Sequence, residues 1–259
     1  MGGERPTCGL SGFEPRTPAR QVHQKGWSAV HEAVARSRLT LTVLIVTAVP
    51  SLLQIPFPAV LTALQRSPAV RDGEVWRLLT SLVVQDGGWL GTVSNLLFLL
   101  VVGATAERVL PRRLWLASYV VGGLTGQLVG LAWQPVGAGN SVAVCGLAGT
   151  LAVALVVGVE APRWTPVVVI WWCGALAATI SVTALVIGTA AALGTQAAVM
   201  AGGEAGRGRP TVARLVCWAT LAYAALLTAV GNVHGPPILV GAAMALLARG
   251  GGRFHHRRR

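Results

Sequence analysis

The stretch "WLGTVSNLLFLLVVGATAERVLPRRLWLASYVVGGLTGQLVGLAW", residues 89–133, decides what kind of molecule this is. Residues 89–106 carry no charge. At about 1.5 Å per residue they make a helix close to the ~30 Å thickness of a bilayer's hydrocarbon core. Glu107 and Arg108 end that run, "PRR" at 111–113 follows, and a second apolar run extends from Leu114 to Trp133. Two apolar helices joined by a short basic turn are a unit of a polytopic membrane protein, and the rest of the chain repeats it.

Working outward, a first span is predicted from Leu39 to about Leu53, or further if it tolerates Pro50. A long first loop, 54–87, holds three prolines and several charges. Beyond residue 133, "QPVGAGN" leads into a fourth span at 141–159, and Arg163 closes the turn after it. Residues 164–203 contain no charge at all. That length is about twice a bilayer's thickness, so it makes either two spans with a tight turn or a re-entrant hairpin. The last apolar runs are 211–230 and 235–248, separated by "GNVH". The expected fold is therefore all-α: a transmembrane helix bundle of about eight spans, occupying 39–249. A basic tail, 1–38, precedes it and a basic tail, 250–259, follows it.

Composition agrees with that class. Of 259 residues, 53% are hydrophobic and 12% charged, against roughly 25% charged in an ordinary soluble domain. A net charge of +12 could suggest a nucleic-acid partner, but the basic residues form no single patch. They gather at the chain ends and in short loops, as Lys and Arg retained on the cytoplasmic side do. With both termini cytoplasmic, eight spans put Arg108, Arg112, Arg113, Arg163, Arg207, Arg209 and the C-terminal arginines on the inner side. The outer turns at 134–140 and 231–233 carry no charge. Six spans plus a hairpin give the same parity. The implied location is a multi-pass protein of the plasma membrane, its tails near anionic lipid and no nucleic acid bound. The N-terminal tail is polar and basic and is not a cleavable signal peptide.

The four cysteines, Cys8, Cys145, Cys173 and Cys217, have no paired spacing, so neither a disulfide framework nor a metal site follows from them. Nothing implies a cofactor. Trp171, Trp172 and Trp218 read as lipid-facing or interfacial aromatics. Gly122, Gly126 and Gly130 recur every four residues and read as a close helix-packing face.

The chain holds three asparagines, Asn95, Asn140 and Asn232, each at the edge of an apolar stretch. His234 is its one histidine in the apolar region. By parity, Asn95, Ser141 and His234 fall near the starts of three different spans, at similar depth below the outer surface. Each has a plain alternative: Asn95 bridging two helices, Ser141 capping a helix, His234 bonded to a carbonyl. Together they form a chemical set. A serine beside a histidine is a nucleophile and its base. An asparagine amide with a helix-terminal N–H stabilises an oxyanion. The nearest acidic residues toward that side, Asp72 and Asp86, lie in the first loop, so a Ser–His dyad without a carboxylate is the expected form.

In this order and at this depth, the residues resemble the rhomboid family of intramembrane serine proteases. "VWRLLTSLVVQDGGWLGTVSNLLFLL" is similar to the family's Trp-Arg loop and second helix, with Trp76-Arg77 and the oxyanion asparagine at Asn95. "GNSVAVCGL" resembles its Gly-x-Ser-Gly segment and places the nucleophile at Ser141; "HGPPILVGAAMALL" resembles its last core helix and places the base at His234, with Gly241 at its small packing position. Glu107 stands where the family often carries a glutamate. The resemblance implies a six-helix core, with 164–203 as an additional hydrophobic hairpin, and a transmembrane protein as substrate.

Four positions depart from the pattern. Gly91 replaces a histidine four residues before the asparagine, and Val142 replaces the glycine after the serine. Cys145 stands where an aromatic often packs on the histidine, and Pro237 replaces a glycine three residues after it. These departures motivate an alternative: a catalytically inactive rhomboid-like protein that binds client transmembrane segments. A transporter is disfavoured, because no predicted span contains an acidic residue or belongs to an evident inverted repeat.

Overall fold

The computed structural model describes residues 37–201 and 209–250. The basic tails therefore lie almost wholly outside the described residues, as do Arg207 and Cys8. Among the described residues the chain forms ten α-helices and no strand. Eight are long: α1 (Arg38–Leu53), α4 (Gly88–Val109), α5 (Arg112–Trp133), α6 (Ser141–Val156), α7 (Thr165–Ala177), α8 (Val182–Ala201), α9 (Arg209–Ala229) and α10 (Gly235–Gly250). Two short ones, α2 (Pro58–Leu64) and α3 (Arg77–Thr80), lie within the first loop. Helices α4, α5, α8 and most of α9 are long and apolar enough to cross a membrane; α1, α6, α7 and α10 are shorter apolar helices.

Local chemistry sets the boundaries. Helix α1 runs through Pro50 and stops at Leu53. Leu110, the residue before Pro111, is extended at φ −101° and ψ 146°, because proline's ring disfavours helical geometry in its predecessor. That separates α4 from α5. In α10, Pro236 and Pro237 fall in the first turn, where N–H groups have no intrahelical partner and proline is tolerated.

Helix α6 is the centre of the bundle. Thirteen of its sixteen residues are buried, and it touches α4, α5, α7, α9 and α10. Such contact requires backbones to approach closely. A Cβ at Gly122 would stand 2.7 Å from Gly146 Cα, so α5 meets α6 glycine against glycine. Gly241 of α10 lies against the Gly146 carbonyl in the same way. Thr150 ties the three helices together: its hydroxyl is 2.8 Å from Ser118 Oγ, 2.9 Å from the Gly146 carbonyl and 2.9 Å from the Gly241 carbonyl. In a membrane, where burial of apolar surface drives little helix association, such packing and hydrogen bonds hold a bundle together.

Within 164–203, the described residues form a two-helix hairpin, α7 and α8. A Cβ at Gly188 would stand 2.7 Å from Gly174 Cα, which shows how closely the two helices approach. Helix α7 also packs on α4, α6 and α9, whereas α8 contacts only α7 and α9 to any extent and buries just Ala192.

One expectation is corrected here. Trp172 is not lipid-facing: it is buried, with its ring centroid 4.8 Å from that of Phe98 on α4. The charge-free hairpin sequence does not reveal which face of α7 turns inward, and the inward face carries Trp172. Trp218 does point outward, 70% exposed.

Candidate active site

The first loop builds the entrance to α6. Gln54 and Gln85 pair reciprocally: Gln54 Nε2 donates to the Gln85 carbonyl at 2.7 Å, and the Gln85 N–H donates to Gln54 Oε1 at 3.0 Å. Arg77 binds Glu74 and donates to the Thr62 and Gln65 carbonyls at 2.9 and 3.1 Å, closing the loop on itself. Arg66 is buried. It donates to Gln127 Oε1 and to the Gln134 carbonyl, and it pairs by backbone with Gly137. Burial pushes its guanidinium below the ordinary value, and the Asp86 carboxylate opposes that shift.

Through these contacts the loop grips the segment before Ser141. The Ala138 N–H donates to Asp86 Oδ2 at 2.9 Å, and the Gly139 N–H donates to the Ser81 carbonyl at 2.8 Å. Gly139 takes φ +142°, a conformation L side chains rarely adopt. Asn140 then occupies the N-cap of α6, but no side chain caps that helix. Ser141 is its first residue rather than its cap, and the Asn140 side chain is drawn away to accept from Gln85 Nε2 at 3.1 Å. The N-terminus of α6, with its partial positive charge, is left without a side-chain acceptor beside the Ser141 hydroxyl.

Ser141 Oγ lies 3.0 Å from His234 Nε2, although ninety-three residues separate them in sequence. The other ring nitrogen, Nδ1, lies 2.7 Å from Asn232 Oδ1, and the same oxygen is 3.1 Å from the His234 backbone N–H. That N–H can only donate, so the asparagine must present its carbonyl oxygen there. The oxygen can only accept, so Nδ1 must carry the imidazole's proton. In the neutral ring, Nε2 then offers its lone pair to Ser141.

Asn95, on α4, borders the same space. Its Nδ2 donates to Gln85 Oε1 at 2.8 Å, which uses one of its two N–H groups. A Cβ built at Gly139 would stand 3.2 Å from Gln85 Oε1, 3.5 Å from Ser141 Oγ and 3.6 Å from Asn95 Nδ2. The glycine therefore leaves a small volume bordered by a hydroxyl and two amides.

A family model of the Rhomboid domain matches residues 72–202. The chain belongs to the rhomboid family. The match spans Asn95 and Ser141 and ends before His234, so the meeting of histidine and serine is a property of this fold rather than of the matched segment. Neither the curated proteins nor the solved structures contain a match to the chain. Rhomboids are in general intramembrane serine proteases, and the apolar helices make this one an integral membrane protein.

The departures from the family pattern have local accounts. Val142 is buried with Leu82 and Val233, and Gly126 of α5 supplies its room: a Cβ there would stand 2.5 Å from Val142 Cβ. The same position would meet Pro237 Cγ at 3.1 Å, so one glycine accommodates both substitutions. Cys145 lies in the main apolar core. At Gly91 no side chain is offered and a Cβ there would meet nothing within 4 Å; the side chain bonded to Asn95 is that of Gln85.

Gln85 escaped the sequence reading, and Asn232 was noted there without a role. Gln85 sits in a loop, where a glutamine usually faces water; its burial, nearly complete here, follows from the pairing with Gln54 that only the fold reveals. Asn232 carried a signal in its place two residues before His234, where an asparagine can reach the histidine's backbone.

Proposed function

We propose that this rhomboid is an intramembrane serine peptidase that cleaves transmembrane protein substrates with a Ser141–His234 dyad. The observation that carries the reading is the 3.0 Å contact between Ser141 Oγ and His234 Nε2, within the ~2.6–3.2 Å reach of a base for its nucleophile. Ser141 Oγ attacks the scissile carbonyl carbon as its proton passes to Nε2. The carbonyl oxygen becomes an oxyanion, met by the free N–H of Asn95 and the Ser141 backbone N–H at the start of α6. Collapse of the tetrahedral intermediate breaks the C–N bond, and the leaving amine takes the proton from Nε2. Water then attacks the acyl ester, again giving a proton to Nε2, and the carboxylate product leaves as Ser141 regains its hydrogen.

Charge distribution supports an orientation in which the site lies toward the outer face of the plasma membrane, with both termini and their basic tails against anionic lipid on the inner side. The substrate would then be cut near the outer end of its transmembrane segment.

Treating the purified protein with a fluorophosphonate probe tests the reading. Labelling and cleavage of a model transmembrane substrate are expected, both abolished in Ser141→Ala. Absence of both in the wild-type protein would leave a client-binding rhomboid without peptidase activity, the reading that the bare position at Gly91 favours.

A further inference from the structure

The Ser141–His234 pair continues into a third and a fourth residue. Asn232 Oδ1 accepts from His234 Nδ1, and Asn232 Nδ2 lies 3.1 Å from Thr179 Oγ1. Thr179 belongs to the turn between α7 and α8, at the tip of the hairpin that a six-helix core does not contain. Its hydroxyl donates to the Leu176 carbonyl at 2.7 Å, which leaves its lone pairs to accept from the asparagine amide. The chain Ser141, His234, Asn232, Thr179 thus has a donor and an acceptor at every link.

A simpler account of Asn232 covers part of this. The contact of its Oδ1 with the His234 N–H, two residues on, is an ordinary way for an asparagine to close a turn, and the Asn232 N–H bonds the Leu227 carbonyl at 2.8 Å. A turn-closing role requires neither the 2.7 Å approach of Nδ1 nor an amide held from its far side by another hairpin.

We infer that Asn232 is a positioning residue that fixes the tautomer and orientation of His234, and that the α7–α8 hairpin, through Thr179, holds Asn232 in place. The inference rests on the peptidase reading for its consequence, because a base presenting Nε2 matters only if Ser141 is the nucleophile. In that reaction Nδ1–H remains on the ring throughout. The asparagine carbonyl dipole stabilises the imidazolium formed when Nε2 takes the serine proton, as a neutral counterpart of the carboxylate in a Ser-His-Asp triad. The inserted hairpin, whose second helix buries only Ala192, would then act on the reaction rather than merely enlarge the bundle.

The test uses the full chain reconstituted in lipid, with a model transmembrane substrate. Asn232→Ala is expected to lower kcat about 10- to 100-fold with KM little changed. That lies between the loss of one neutral hydrogen bond and the ~10⁴-fold loss seen when a triad histidine is held in the wrong tautomer. Asn232→Asp, which keeps the acceptor, is expected to recover most of the rate. Thr179→Val, on an exposed turn where folding is not at risk, is expected to lower kcat several-fold.

Nitrogen-15 histidine spectra supply a readout independent of turnover, with His234 assigned by comparison with His234→Gln. The wild-type ring is expected to carry its proton on Nδ1 alone, and Asn232→Ala to show a mixture of tautomers. Wild-type kcat in both Asn232→Ala and Thr179→Val, or an unchanged tautomer in Asn232→Ala, would overturn the inference. A wild-type protein that neither labels nor cleaves, yet shows the Nδ1-protonated ring lost in Asn232→Ala, would remove the peptidase reading while leaving the positioning role intact.

Discussion

A methyl group added at Gly139 would sit 3.2 Å from Gln85 Oε1, 3.5 Å from Ser141 Oγ and 3.6 Å from Asn95 Nδ2. It would also require an alanine to hold φ +142°, a strain of about 1–3 kcal/mol. Both effects act on the space where a substrate carbonyl would have to lie. Gly139→Ala is therefore expected to slow fluorophosphonate labelling at least about 100-fold, the scale of one lost oxyanion donor. Thermal unfolding in detergent should fall only by what the strain accounts for. Labelling at the wild-type rate would mean that the carbonyl binds elsewhere. The same scale explains why Val142 looked adverse in the sequence. A β-branched residue next to the nucleophile signals lost backbone approach only if its neighbour is large, and its neighbour is Gly126, sixteen positions earlier. Nothing in the one-dimensional pattern pairs those two residues.

At the level of helices, Glu107 links the end of α4 to the start of α1. No side chain within α1 caps its N-terminus. Instead Glu107 Oε1 accepts from the Leu39 N–H at 3.0 Å, while Oε2 accepts from the Thr40 N–H and the Thr40 hydroxyl at 2.8 Å each. A carboxylate at a helix N-terminus is favoured by the exposed amides and by the helix dipole. Glu107→Ala strands three donors in a mostly buried place, at about 1–3 kcal/mol for an unsatisfied group. It should lower the unfolding temperature clearly, with Glu107→Gln intermediate because one oxygen acceptor remains. Equal stability of Glu107→Ala and wild type would show that water satisfies these groups. Six of the eight long helices were legible, since their apolar runs are bounded by charges, prolines and glycines that stop helices for local reasons. Helices α7 and α8 stayed open between two spans and a re-entrant hairpin, because the turn Ala178–Ser181 between them carries none of those signals. Ser141 and His234 stood out because polar groups are scarce among those runs. Their supports did not: Gln85 becomes informative only when the first loop, α4 and α6 converge, and the spacing of Asn232 from His234 gave it a place but no role. The inward face of Trp172 was hidden because α7 is apolar all round, leaving no polar stripe to mark the outside.

Across the whole molecule, the site end and the basic end are opposite. Gln134 to Asn140, Thr179 and Asn232 occupy turns joined by the contacts around Ser141. Glu107, Arg112 and Arg163 lie at the other ends of α4, α5 and the α6–α7 connection. Lys and Arg in short loops are retained in the cytoplasm, so the uncharged turns should face outward. The described cysteines, Cys145, Cys173 and Cys217, are all buried, which leaves new surface cysteines readable by a membrane-impermeant maleimide once Cys8 is replaced by serine. Val136, 57% exposed in the turn before Ser141, and Arg163, exposed in the turn before α7, are suitable positions. Val136→Cys should label in intact cells, and Arg163→Cys only after the membrane is permeabilised. The reverse pattern would place the serine and histidine toward the cytoplasm. Substrates would then have to present their cleavage sites from the inner side, and the basic tails would lie on the outer side, away from the cytoplasmic leaflet's anionic lipids.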